Sequence, residues 1–211
     1  MEKLNEKKLL KRALNINRAL KKLYPKPKIA LKYRNAWELL VSVVLSAQCT
    51  DKKVNEVTAD LFSKYKKLSD YVRADLHEFQ NDIKPTGFYR NKAKHILKSA
   101  KIVQKKFNGK VPCKMENLLL LPGIARKSAN IILSEACGII DGIPVDTHVR
   151  RLSKLHKLTK NDDPVKIEQN LMRIIPRKDW YNFSVRLIQY GREYCPAKKH
   201  AHKNCPLEHV K

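Results

Sequence analysis

Leu121-Pro122-Gly123-Ile124-Ala125-Arg126-Lys127 reads as a sharp break between two short helices. A helix that starts abruptly leaves its first backbone N–H groups without intrahelical partners, and the helix dipole adds partial positive charge there. Such a start is a ready place for a phosphate oxygen. Gly123 lets the backbone turn tightly, Leu121 and Ile124 can pin the turn into a core, and Arg126 and Lys127 put two cations beside the anion site. An ordinary helix–helix turn would use the same Pro-Gly pair, so the stretch gains meaning from its surroundings.

Those surroundings are helical. Trp37, Leu40, Val41, Val44 and Leu45 recur at helical spacing and predict a helix over 36–48, although Val41, Val43 and Val44 would also suit a strand. Asp51 is the expected cap of a second helix carrying Val54, Val57, Leu61, Phe62 and Tyr65. After the break at Pro85-Thr86-Gly87, a helix through Ala93, Ile96, Leu97, Ala100 and Phe107 ends at Asn108-Gly109. Further helices are expected over 118–121, 126–136, from the Asp146 cap through Leu152, from Asp163-Pro164 to Pro176, and over 179–194. An N-terminal basic helix presents Leu10, Leu14 and Asn17 on one side, either as a tail or packed on the later helices. The fold class is all-α.

Charge narrows the partner. Lys and Arg number 45 against 20 acids in 211 residues, a formal net charge of +25. A positive field of that size suits a polyanion, because neutralising phosphates releases condensed counterions. A lysine-rich bias that merely solvates helix faces is the plain alternative. No apolar run is long enough to span a bilayer, and no secretory or transit signal is evident, so a monomer in the cytoplasm, associated with the nucleoid, is expected. An odd count of five cysteines, three of them scattered, with no secretion signal argues against a disulfide framework.

Residues 121–130, LPGIARKSAN, closely resemble the helix-hairpin-helix of the endonuclease III family of DNA glycosylases. Val145-Asp146-Thr147-His148-Val149 resembles a second hallmark of that family. Leu45-Ser46-Ala47-Gln48-Cys49-Thr50-Asp51 and the segment from Thr86-Gly87-Phe88 to Ala93 resemble two more, in the family's order. Ala125 departs from the pattern, which usually has a second glycine there. The substitution costs about 1 kcal/mol if the position needs a positive φ, and little otherwise.

The resemblance implies a two-part helix-hairpin-helix fold with the active site in an interdomain cleft. A helical barrel domain would span 29–139, and 1–28 would join 140–211 in the second domain. It implies a bifunctional glycosylase/AP lyase that removes oxidised pyrimidines from double-stranded DNA and cleaves abasic sites by β-elimination. Lys127 matches the catalytic lysine, whose amine would form a Schiff base with the opened sugar, and Asp146 matches the catalytic aspartate. Asp146 is equally suited to capping a helix, and the two roles are compatible. Gln48 resembles the residue inserted into the gap left by the extruded base, and Gly87 and Phe88 lie in the loop that wedges the opposite strand. Gly123, Ala125 and Arg126 would hold the DNA backbone. Core packing competes as a role for Phe88 and Tyr89, and capping or packing for His148.

Most of the family binds a [4Fe-4S] cluster through C-x6-C-x2-C-x5-C. Here Cys195 and Cys205 hold the first and third positions of the degenerate loop at 195–211, His202 the second and Lys211 the fourth. No cofactor is therefore expected, the cluster being doubtful with two thiolates missing. A zinc ion on Cys195, His202, Cys205 and His209 is the minor alternative. Two other functions compete: a non-catalytic helix-hairpin-helix DNA-binding protein, and a monofunctional mismatch glycosylase. The second generally lacks the lysine and carries a further recognition domain.

Overall fold

The computed structural model describes residues 2–210, so Lys211 lies outside the described residues. Their regular structure is helical throughout: α1 (Glu2–Leu23), α2 (Ala36–Leu45), α3 (Asp51–Lys64), α4 (Leu68–Arg73), α5 (Leu76–Ile83), α6 (Tyr89–Lys106), α7 (Met115–Leu118), α8 (Arg126–Cys137), α9 (Thr147–Leu155), α10 (Pro164–Ile174) and α11 (Trp180–Glu193). Short 3-10 turns occur at Lys84–Thr86, Arg177–Asp179 and His202–Asn204. No helix among the described residues is long and apolar enough to cross a membrane. The chain divides into two compact units, one of Ala30–Ile139 and the other taking the chain up to Ile29 and from Ile140 onward.

In the 30–139 unit α2 is central. Every residue from Trp37 to Leu45 is buried, which explains a continuous apolar run instead of a one-sided stripe. Its three valines are helical because Asn35 starts the helix, its side chain accepting from the Glu38 amide at 3.0 Å. Glu38 is buried but satisfied, accepting from the Arg34 amide at 2.7 Å and from the Arg34 guanidinium at 2.8 Å. At α3 the cap is Thr50 and not Asp51, which is the first helical residue; the Thr50 hydroxyl accepts from the Lys53 amide at 3.3 Å.

Helices α4 and α5, which periodicity did not reveal, are each too short to show a full stripe. They bring Tyr71 and Phe79 against Trp37 and Tyr65, with ring centroids 5.2–5.8 Å apart. A second departure is covalent: Cys113 and Cys137 form a disulfide. The chain folds back through α7 and α8, bringing together two positions that looked unrelated along the sequence.

In the other unit α1 is no tail. Ala13, Ile16 and Leu20 are buried in its core, and Asn17 lies beside them. The buried face is thus rotated from the expected stripe, since Leu10 is 43% exposed. A polar anchor fixes the docking: Asp179 accepts from Asn17 Nδ2 at 2.9 Å and from Lys21 Nζ at 2.7 Å. Burial raises the Asp179 pKa, but these donors outweigh it and hold the carboxyl below the usual range. Asp163 caps α10 through the Lys166 amide at 2.9 Å, with Pro164 at the first helical position, as its sequence signal implied. Between α9 and α11, Gly191 has no room for a side chain: an added Cβ would lie 2.6 Å from His148 Nδ1.

Candidate functional site

The hairpin is built from packing inward and left open outward. Leu121 and Ile124 are buried, and the Ile124 amide donates to Leu121 O at 3.1 Å to close the turn. Gly123 has φ +81°, and an added Cβ would lie 2.9 Å from His95 Nδ1 on α6. Both backbone conformation and space therefore demand glycine. Ala125 has φ −100° and ψ 172°, extended backbone open to any residue, so the family's glycine is not needed here. Helix α8 begins at Arg126 with no side-chain cap hydrogen bond, and Lys127 follows, half-buried, in its first turn. An uncapped, positively flanked helix start can receive a phosphate oxygen.

Asp146 belongs to the other unit and is the N-cap of α9, its Oδ1 accepting from the Val149 amide at 2.8 Å. Capping engages one carboxylate oxygen and leaves Oδ2 outside the cap. His148 packs against Gly191, and its buried Nδ1 has no hydrogen-bond partner. Burial lowers its pKa against the opposing pull of Asp146, and Arg192 and Arg151 lower it further. The ring serves as a packing element, and burial favours its neutral form.

Gln48 and Phe88 are both exposed and both adopt left-handed backbone, with φ 51° and 46°. Phe88 is 64% exposed, so core packing does not account for it. Sequence reasoning missed what fixes the segments beside them. Lys92 is buried on α6, and its Nζ donates to Leu45 O at the end of α2 and to Thr86 O before Gly87, each at 2.8 Å. Burial lowers its pKa. The available signal was a lysine beside Ala93 at the start of an apolar helical face.

The C-terminal loop overturns two expectations. Absence of any cofactor was expected, yet Cys195 Sγ, Cys205 Sγ and one ring nitrogen each from His200 and His202 all lie within 4.8 Å of one another. His209, the anticipated fourth ligand, turns elsewhere, its Nε2 lying 3.0 Å from Lys203 O. His200 takes that place, its Nε2 lying 3.4 Å from Cys205 Sγ beside the 3-10 turn at His202–Asn204. Aligning the loop on the four-cysteine spacing hid the nearer pattern, Cys-x4-His-x-His-x2-Cys.

With these arrangements in hand, comparison with known proteins is specific. The pattern of the HhH-GPD superfamily base excision DNA repair proteins matches residues 41–177. Endonuclease III of Synechocystis sp. (strain PCC 6803) is 47% identical over 199 residues, covering 94% of this chain and 91% of that protein. A solved non-covalent endonuclease III–DNA complex superposes with a TM-score of 0.88 at 42% identity, covering 92% of this chain and 91% of the other. A trapped endonuclease III–DNA covalent intermediate gives 0.87 at the same identity and coverage. The chain belongs to the HhH-GPD superfamily of base excision DNA repair proteins.

Proposed function

We propose that the protein is a DNA glycosylase/AP lyase of endonuclease III type, acting on oxidised pyrimidines in duplex DNA, with Lys127 as nucleophile and Asp146 as its acid–base and electrostatic partner. The observation that carries this reading is Lys127, half-buried in the first turn of the uncapped α8, in a chain 42% identical to an endonuclease III solved as a trapped covalent DNA intermediate.

In the proposed chemistry the Lys127 amine attacks C1′ as the bond from C1′ to the damaged base breaks, and the base departs with the bonding pair and takes a proton from water. The negative charge of Asp146 stabilises the sugar cation as the base departs, and the carboxylate then takes the ammonium proton left by the attack. Asp146 returns that proton to O4′, and the ring opens to an iminium between Nζ and C1′. That iminium acidifies the C2′ proton, whose removal expels the 3′ phosphate by β-elimination. Water then hydrolyses the imine and returns the amine.

The backbone at the α8 start, Gly123, Ala125 and Arg126 hold phosphate without reading sequence. Gln48 fills the stack vacated by the extruded base, and Phe88 presses on the opposite strand; the exposure of both at left-handed positions supports these roles. Such a substrate places the enzyme at the nucleoid, in the cytoplasm.

Borohydride trapping on a duplex with an abasic site or an oxidised thymine tests the assignment. Wild type is expected to give a covalent protein–DNA band that Lys127→Ala abolishes. Equal bands would move the Schiff base to another amine. Base release without a band would make the enzyme monofunctional, and DNA binding without release would make it a binding protein.

A further inference from the structure

The C-terminal cluster has the dimensions of a site for one metal ion. The recorded distances are 3.4 Å from Cys205 Sγ to His200 Nε2, 3.8 Å from Cys195 Sγ to His202 Nδ1 and 4.0 Å from Cys205 Sγ to His202 Nδ1. A tetrahedral zinc ion with ordinary Zn–S and Zn–N bonds sets its ligand atoms about 3.3–3.8 Å apart. No pair of the four ligand atoms exceeds 4.8 Å, so small side-chain adjustments would close the tetrahedron. A [4Fe-4S] cage does not fit this set. It needs a ligand on each of four irons, spread around a body much larger than one ion, and only two thiolates are here.

The surroundings are organised for ligation as well. Both cysteines are free thiols buried in the core of their unit. His200 Nδ1 lies 2.8 Å from Lys198 O, so it donates there, and this leaves Nε2, the atom facing Cys205, with its lone pair. A ligating imidazole oriented by a backbone carbonyl through its other nitrogen is the usual outer-shell arrangement of metal sites. The Arg151 guanidinium bonds Cys195 O at 2.5 Å and approaches its Sγ at 3.7 Å, placing positive charge beside a prospective thiolate. The Cys205 thiol donates to Tyr194 O at 3.2 Å, and metal binding would displace that proton.

We propose that Cys195, His200, His202 and Cys205 bind a single zinc ion in tetrahedral coordination, in place of an iron–sulfur cluster. Two thiolates with two imidazoles are a zinc donor set, and four protein ligands leave no open position, so the ion is structural. It ties the loop after α11 back to the unit that carries Asp146.

The test is metal analysis of the full-length, untagged protein purified without chelator from cells supplied with both iron and zinc. Equimolar zinc without acid-labile sulfide is expected. Cobalt substitution is expected to give the strong visible bands of a tetrahedral thiolate site. His202 is exposed, so His202→Ala should fold normally, checked by circular dichroism, and weaken zinc retention at least about tenfold, as should His200→Ala. His209→Ala should retain zinc like wild type. Iron with sulfide, or protein free of metal, would overturn the proposal. Loss of zinc from His209→Ala equal to that from His200→Ala would overturn the ligand assignment. None of these readouts depends on glycosylase activity.

Discussion

The hairpin before α8 and the loop after α11 are both short, basic turns, yet they are held by opposite means. The hairpin is fixed by shape: two buried apolar side chains, a glycine at φ +81° against His95, and a carbonyl-closed turn. The loop has less apolar content. Between Cys195 and Leu207 its buried residues are the two cysteines and Leu207 itself, with exposed Lys198, Lys199 and Lys203 between them. A segment that buries so little cannot offset its own ordering entropy by packing and needs a stronger local bond. Packing holds the hairpin, and the proposed metal ligands hold the loop.

The largest effect expected from testing this contrast is chemical. Asp146→Asn keeps an equally good N-cap but removes the charge, so base release should fall about 10²- to 10⁴-fold while the thermal midpoint stays near wild type. A comparable loss of stability would show that the carboxylate is structural alone. Next, Gly123→Ala forces a side chain into left-handed backbone and against His95, and should destabilise by about 2 kcal/mol in denaturant unfolding. It should also weaken DNA binding at every sequence alike. An unchanged midpoint would mean the hairpin is not held by shape.

Chelation probes the loop from the other direction. Hydrogen exchange after removal of zinc should show amides of 195–207 losing protection while those of 126–137 keep theirs. Uniform loss would erase the contrast between the two regions.

A smaller effect comes from Asp179. Its folded pKa lies below the ordinary carboxylate value, so the stability it contributes is present above about pH 4 and is lost as pH falls through the folded value. Asp179→Asn should flatten this acid limb in a stability–pH profile. Ala125→Gly is expected to matter least, within about 0.5 kcal/mol, because its backbone is extended in the native state.

Sequence reading succeeded where one local rule governs. Asp163-Pro164 starts α10 and Asp146 caps α9, each for reasons contained in a few adjacent residues. It failed where partners are distant. The face of α1 that packs inward is chosen by the later helices, and the Cys113–Cys137 bond depends on how α7 and α8 fold back. Helices α4 and α5 escaped notice because six and eight residues make only about two turns, too few for a stripe to recur. The loop was read through the four-cysteine spacing, and this favoured His209 over a histidine that only the folded turn brings close.

Lys92 carries a consequence for any exchange of the two segments proposed to meet the opened duplex. Its ammonium joins Leu45 O to Thr86 O, so the segments bearing Gln48 and Phe88 share one fastener. Grafting either segment alone from a relative would leave the other attached to an anchor of the wrong length. The two are a single exchangeable cassette, and a chimera should carry both of them together with the lysine.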